Sequence, residues 1–351
     1  MKNYVFFIGI DVSKETLDFA LIANNIVQFH LQVTNDTQGI EQFINQSKKL
    51  NKTFSFENSL FCMEHTGIYN NPSLKYLHTK HANIWLEQAT QIKASMGISR
   101  EKNDKIDSQK IGFYAYKNRE DVKLWTPKRP VIVQLDRLTA LRDRLVKTLK
   151  VLKTPLSDAK KFVDKKMLDS ETSLCKSSMD ALKEDLKAVE KKIKQLIDND
   201  PQLKELFDIV ESVKGIGPVI ATEVLITTNE FKDINDPKKY VCGWRSTYSG
   251  FAPFEHSCGS PPAGKYKGKS KVSNKANKKV KALFHNGAMS AIQHCKEIKG
   301  YRAANRYQRK VGEGKNEMLV INNVCNKLVH RIFACVSRRE KYNENYTKAF
   351  A

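Results

Sequence analysis

The chain has 351 residues, enough to bury a sizeable core and to form two or three domains. Lys and Arg outnumber Asp and Glu 60 to 38, for a net charge of +22 and a pI near 9.6; such an excess points to a polyanionic partner, most simply nucleic acid, although a ribosomal or membrane-peripheral role fits the charge too. No stretch reaches the roughly 18 apolar residues of a membrane span, and VFFIGI near the start lacks a small-residue cleavage site, so a cytoplasmic, nucleoid-associated chain is expected.

Phe6 to Ile10 form an apolar run that ends in a lone acid, Asp11, within FIGIDVSKETL. A fully apolar strand fits a parallel or mixed sheet covered on both faces, with Asp11 at the C-terminal end where open α/β sheets place their chemistry. Gly9 leaves room for a close backbone approach. Leu17, Phe19 and Leu21 alternate like a returning strand, and Asn25 to Val33 reads as another. Thr37 to Lys48 reads as an amphipathic helix. Leu60 to Met63 is a short strand ending at Glu64, Asn71 to Thr79 a helix with Pro72 near its start, and Ala82 to Leu86 a strand. Residues 88–118 read as mostly helical. The alternation predicts an α/β domain over residues 1–125.

Beyond Pro127 and Pro130 the pattern changes. Leu138, Leu141, Leu145, Leu149 and Leu152 recur at spacings of three and four, as do Leu182, Leu186, Val189, Ile193 and Leu196. This is a coiled-coil pattern over residues 126–200, read as an antiparallel hairpin or dimerising arm, broken near Pro155 with a loop around Ser170 to Ser178. Ordinary helices lying on a core are the other reading. In the third part, residues 201–345, Leu206 to Val213 and Val219 to Leu225 read as helices flanking Lys214-Gly215-Ile216-Gly217-Pro218. That pattern predicts a helix-hairpin-helix, in which Lys214, Gly215 and Gly217 let backbone amides approach a phosphate. A plain helix connection is the alternative. A Gly/Ser/Pro-rich loop follows, then Lys265, Lys267, Lys269, Lys271, Lys275, Lys278, Lys279 and Lys281, eight lysines with no acid among them. They read as a phosphate-contacting surface. Seven cysteines with no CxxC pair read as reduced thiols, not as a disulfide frame or zinc site.

Asp11, Glu64, Asp104 and Asp107 are the acids of chemical interest. Two end apolar strands, and the other two lie three apart in KNDKID, on one helical face. Converging carboxylates repel unless cations neutralise them, and two Mg²⁺ shared by such a set polarise a phosphodiester.

FIGIDVSKETLDFAL, CMEHTGIY, KNDKIDSQKIGFYA, VKGIGPVIATEVL and CGWRSTYSGFAPFEHSCGS, in this order, resemble a DEDD transposase of the insertion-sequence one-ten family, which includes the Piv-type DNA invertases. The resemblance covers nearly the whole chain. It implies an RNase H-like (RuvC-like) N-terminal domain, a coiled-coil connector and a mainly helical C-terminal transposase domain. It implies metal-binding, catalytic roles for Asp11, Glu64, Asp104 and Asp107, donor and target DNA as substrates, a guide RNA, and a homo-oligomer, dimer or tetramer. It also implies a serine nucleophile before a glycine; here that position is Cys258, flanked by Ser257 and Ser260. A thiolate is soft and phosphorus hard, so slower transfer is expected. A binding relative without turnover and a Mg²⁺-dependent, resolvase-like nuclease are the alternatives.

Overall fold

The computed structural model describes residues 3–95, 103–242, 253–254, 257–258, 266–267, 271–272, 277–294 and 308–343. It divides into two compact units, Met1–Pro127 and Lys128–Ala351.

The first unit is a five-stranded mixed sheet, in the order β3-β2-β1-β4-β5. β1 (Phe6–Val12) pairs antiparallel with β2 (Thr16–Ala23), and β2 with the edge strand β3 (Ile26–Thr34). On its other side β1 runs parallel to β4 (Ser59–Glu64), which runs parallel to β5 (Asn83–Glu87). Asn24 and Asn25 carry the β2–β3 turn at φ 52° and 61°, left-handed values that Asn tolerates in two-residue hairpin turns. Phe6, Ile8 and Ile10 face α1 (Thr37–Leu50) and α2 (Asn71–Thr79), meeting Ile40, Phe43, Leu74 and Leu77. Phe7, Leu60, Cys62 and Trp85 face α3 (Ala89–Ser95) and α4 (Asp104–Lys117). Covered on both faces, β1 has to be apolar from Phe6 to Ile10, as its sequence indicates.

The second unit is mostly helical. α5 (Pro130–Asp158) and α6 (Lys165–Asp198) pack antiparallel: Ile132 and Leu135 share a core with Ile193 and Ile197, and Arg142 Nε meets Glu190 Oε1 at 2.8 Å further out. The predicted break and loop are corrected here. Pro155 lies inside the last turns of α5, and α6 runs unbroken through residues 170–178. That stretch has serines but neither Gly nor Pro, and its half-buried positions, Thr172, Cys175 and Met179, continue the three-four spacing into Leu182 and Leu186. The reversal falls at residues 159–164. Val151, Phe162, Met167 and Leu174, towards this end, are exposed.

α7 (Pro201–Glu211), α8 (Pro218–Thr228), α9 (Pro237–Cys242), α10 (Lys278–His294) and α11 (Glu317–Arg338) enclose the main core of this unit, centred on Val224, Tyr240, Phe284, Leu328 and Ile332. Among the described residues, no helix is long and apolar enough to cross a membrane.

Candidate functional site

Asp11 is the sixth residue of β1 and only partly buried. The parallel register aligns Ile10 with Met63; one step further, Asp11 stands beside Glu64, the last residue of β4. Glu64 in turn aligns with Glu87, the last residue of β5, and Asp11 aligns with Asp18 of β2. Aligned residues on neighbouring strands point to the same face. Glu87, Glu64, Asp11 and Asp18 therefore form a row across the sheet, on the face that α4 covers.

α4 brings the remaining acids. The Phe7 and Tyr116 rings meet edge to face at 5.2 Å, and a Cβ on Gly9 would lie 2.0 Å from the Ser108 carbonyl oxygen and 2.3 Å from the Gly112 nitrogen. The helix thus runs antiparallel to β1 in backbone contact with it, as the reading of Gly9 anticipates. Its N-terminus, capped by Asn103 accepting from the Lys105 N–H, lies at the Asp11 end and carries Asp104 and Asp107 in its first turn. Partial positive charge at a helix N-terminus favours carboxylates there.

The electrostatics follow from this gathering. Burial pushes the Asp11 carboxyl up to about 6, and the charges of Asp104, Asp107, Glu64 and Asp18 add to the push, in that order. The other three acids of the sequence reading thus act on Asp11. Asp107 also accepts from Lys110 Nζ at 2.8 Å. Among the described residues, no three His, Cys, Asp or Glu side chains stand tightly enough together to hold one ion. The set is nevertheless all hard oxygen donors, the chemistry that suits Mg²⁺, and repulsion on Asp11 is what a cation relieves. In kind, the donors fit a divalent cation.

Asp18 and Glu87 were missed in the sequence. Asp18 is 3% exposed, its Oδ1 accepting from His30 Nε2 at 2.8 Å and its Oδ2 from Gln32 Nε2 at 3.0 Å. Glu87 Oε2 accepts from the Tyr114 hydroxyl at 3.1 Å. Both carried a legible signal: a lone acid inside the apolar alternation TLDFALIA, and a strand-ending acid like Glu64.

In the second unit, Ser257 and Cys258 pair antiparallel with Lys267 and Tyr266, and Pro253 and Phe254 with Val272 and Lys271. Cys258 thus sits on a short two-residue ladder. Ser260, Lys265, Lys269 and Lys275 lie outside the described residues. Lys278 is exposed and Lys281 partly so. Lys279 departs from the phosphate-contact reading: its Nζ lies 2.8 Å from Asp143 and 2.5 Å from the buried Glu223, so two carboxylates of α5 and α8 already match its charge. Lys214 is exposed. Gly215, at φ +90°, packs against α10, where a Cβ would lie 2.7 Å from the Gly287 carbonyl oxygen. Its missing side chain serves internal packing. Gly217, at the N-terminus of α8, has open space where a Cβ would be.

An acid-lined sheet end in one unit and a basic helical unit after it define a class of nucleic-acid-processing enzyme. A model described as Transposase, of the DEDD IS110 type, matches residues 8–161, and a second, described as Transposase IS116/IS110/IS902 family, matches residues 207–308. The chain is 25% identical over 256 residues to the pilin gene-inverting protein of Moraxella bovis, covering 72% of this chain and 74% of that one. It is also 25% identical over 277 residues to the transposase for insertion sequence element IS1533 of Leptospira borgpetersenii, covering 70% and 77%. The chain belongs to the IS110/IS116/IS902 transposase family, and as an enzyme it is a DNA transposase or recombinase.

Proposed function

We propose that this protein cuts and rejoins DNA, as a transposase or site-specific invertase, with Asp11, Glu64, Asp104 and Asp107 as its metal-holding carboxylates. The observation that carries the reading is the repulsion focused on Asp11 by the other three acids at one end of the sheet. The four carboxylates would hold Mg²⁺, two ions in this reading, which supply charge that polarises the phosphodiester and stabilises the attacking and leaving oxygens. The mixed sheet and its covering helices agree with an RNase H-like domain over residues 1–125.

In this reading the Cys258 side chain attacks a DNA phosphate: its bond to phosphorus forms as one sugar oxygen leaves. Ser257 or Ser260 takes that role in a shifted register. Residues 126–200 form a coiled-coil connector through which copies associate as dimers or tetramers. Residues 201–345 form the transposase domain, whose helix-hairpin-helix at Lys214 and Gly217 and whose lysines, Lys279 excepted, contact donor DNA, target DNA and a guide RNA. Catalysis then takes place where the chromosome lies, in the cytoplasm.

Cysteine at the serine position favours a second reading, a relative that binds without turnover. Labelled DNA incubated with the protein, Mg²⁺ and RNA transcribed from the flanks of the gene separates the readings on a denaturing gel. A protein-linked DNA band supports recombination, free nicked product means a resolvase-like nuclease, and a shift on a native gel alone means binding. Cys258→Ser is expected to raise adduct yield, because an alkoxide suits phosphorus better than a thiolate. If Cys258→Ser is inert while Ser257→Ala or Ser260→Ala abolishes adducts, the register is shifted.

A further inference from the structure

Asp18 does nothing in the mechanism above, yet it is built with care. It is 3% exposed, directly opposite Asp11 in the antiparallel register, and on the same face of the sheet. Buried carboxylates are costly unless paired. Each of its oxygens accepts an N–H, one from His30 and one from Gln32, both on β3. Two donors on two oxygens is how a carboxylate is held as an anion rather than as an acid. A hydrophobic residue would fill this place in β2 at less cost, since Ala20 and Ile22, on the same face of the strand, are fully buried. The strand instead keeps a charge beside the acid that the site is built around.

We propose that Asp18 is a positioning residue for the cation site: a fixed anion, locked by His30 and Gln32, that strengthens divalent-cation binding at Asp11 without ligating the ion. The inference rests on the reading of Asp11, Glu64, Asp104 and Asp107 as metal-holding residues. Opposed residues of an antiparallel pair lie about 5 Å apart. A unit charge at that range attracts a dication even at the dielectric constant of water, by about fifteenfold in affinity without salt and about five- to tenfold once salt screens it.

The test is calorimetric titration of the full chain with Mg²⁺ and, in parallel, with Mn²⁺ followed by electron paramagnetic resonance. Asp18→Asn keeps the shape and removes the charge; its Kd is expected to rise about five- to tenfold, while Asp11→Asn abolishes binding. The cation-free melting temperature, measured alongside, separates this from general damage. Should Asp18→Asn not fold, His30→Lys leaves the carboxylate, sets a permanent cation against it, and carries the same expectation. An unchanged Kd in a folded variant overturns the proposal and leaves the four-acid reading standing. Loss of binding as complete as in Asp11→Asn makes Asp18 a ligand and overturns it as well. No cation binding by the unaltered chain overturns both readings.

Discussion

Asp11 is held against its own electrostatics. Its carboxyl is pushed from 3.8 to about 6 by burial and by its acidic neighbours. A carboxyl raised on folding favours the native state while it is protonated, so its contribution is most favourable below pH 4 and is lost as pH rises from 4 through 6. Asp11→Asn removes that dependence. In the absence of divalent cations the variant is expected to be more stable than the parent at pH 8, by about 2 kcal/mol after allowance for solvent screening. The gain should vanish by pH 4. Thermal melts of both proteins across that range check the sign; a variant less stable at pH 8 would mean that the repulsion is absent. Gly9 is the other decisive residue. A methyl there collides with backbone of α4, at Ser108 and Gly112, which no side-chain rotation relieves. Gly9→Ala is expected to cost about 3 kcal/mol and to weaken cation binding together with it, because the same helix carries Asp104 and Asp107. Urea unfolding and cation titration on one sample measure both.

Among the elements, the start of α5 is tied to the end of α8 by one arginine. Arg129 Nη2 and Nε meet the two oxygens of Glu230 at 2.6 and 2.9 Å, and Nη1 meets Asp200 at 3.0 Å. Glu230 is buried and sits in a turn in which Asn229, Glu230 and Phe231 all have left-handed backbone angles, at φ 49°, 57° and 63°. Such residues are held in place by their surroundings. Here these are the bidentate arginine, an Asn229–Asp233 hydrogen bond and the edge-to-face contact of Phe231 with Phe333. Arg129→Met removes the bidentate partner of the buried Glu230 and leaves it only Lys232 Nζ, 3.0 Å from Oε2. A loss of about 2 kcal/mol is expected, with most of it recovered in the double variant that also carries Glu230→Leu. Chemical denaturation of the single and double variants measures the coupling. The leucine seam of α5 and α6 was readable because its period matches the helix. The continuity of α6 was not, because serines favour turns locally while packing along α5 outweighs that preference.

For the whole molecule, charge is the property that reaches furthest. Sixty cations against 38 anions make affinity for nucleic acid fall with salt, but individual lysines differ. Replacing Lys267, Lys271 and Lys278 by Gln should lower affinity and reduce the slope of log K against log salt by about 2 to 3. Lys279→Gln should leave the slope unchanged and destabilise the second unit instead, because it strips the partner from the buried Glu223. Binding titrations at four salt concentrations distinguish the two, and equal slopes for the parent and the triple variant would remove these lysines from the interface.

The amino-acid sequence by itself determined the properties that depend on residue order along one element. It placed Asp11 and Glu64 at strand ends, Asp104 and Asp107 on one helical face, Gly9 at a close approach, and the leucine periods of α5 and α6. Each of these is a relation between neighbours a few residues apart. Only the tertiary structure decided which groups meet across elements. Asp18 was one acid among 38 until the β1–β2 register set it opposite Asp11. Lys279 was one lysine of a run until α10 packed it against Asp143 and Glu223. Gly215 was one glycine of a turn until α10 packed against the place of its side chain. Strand register and helix packing are set by the burial of the whole core, and no local pattern contains them.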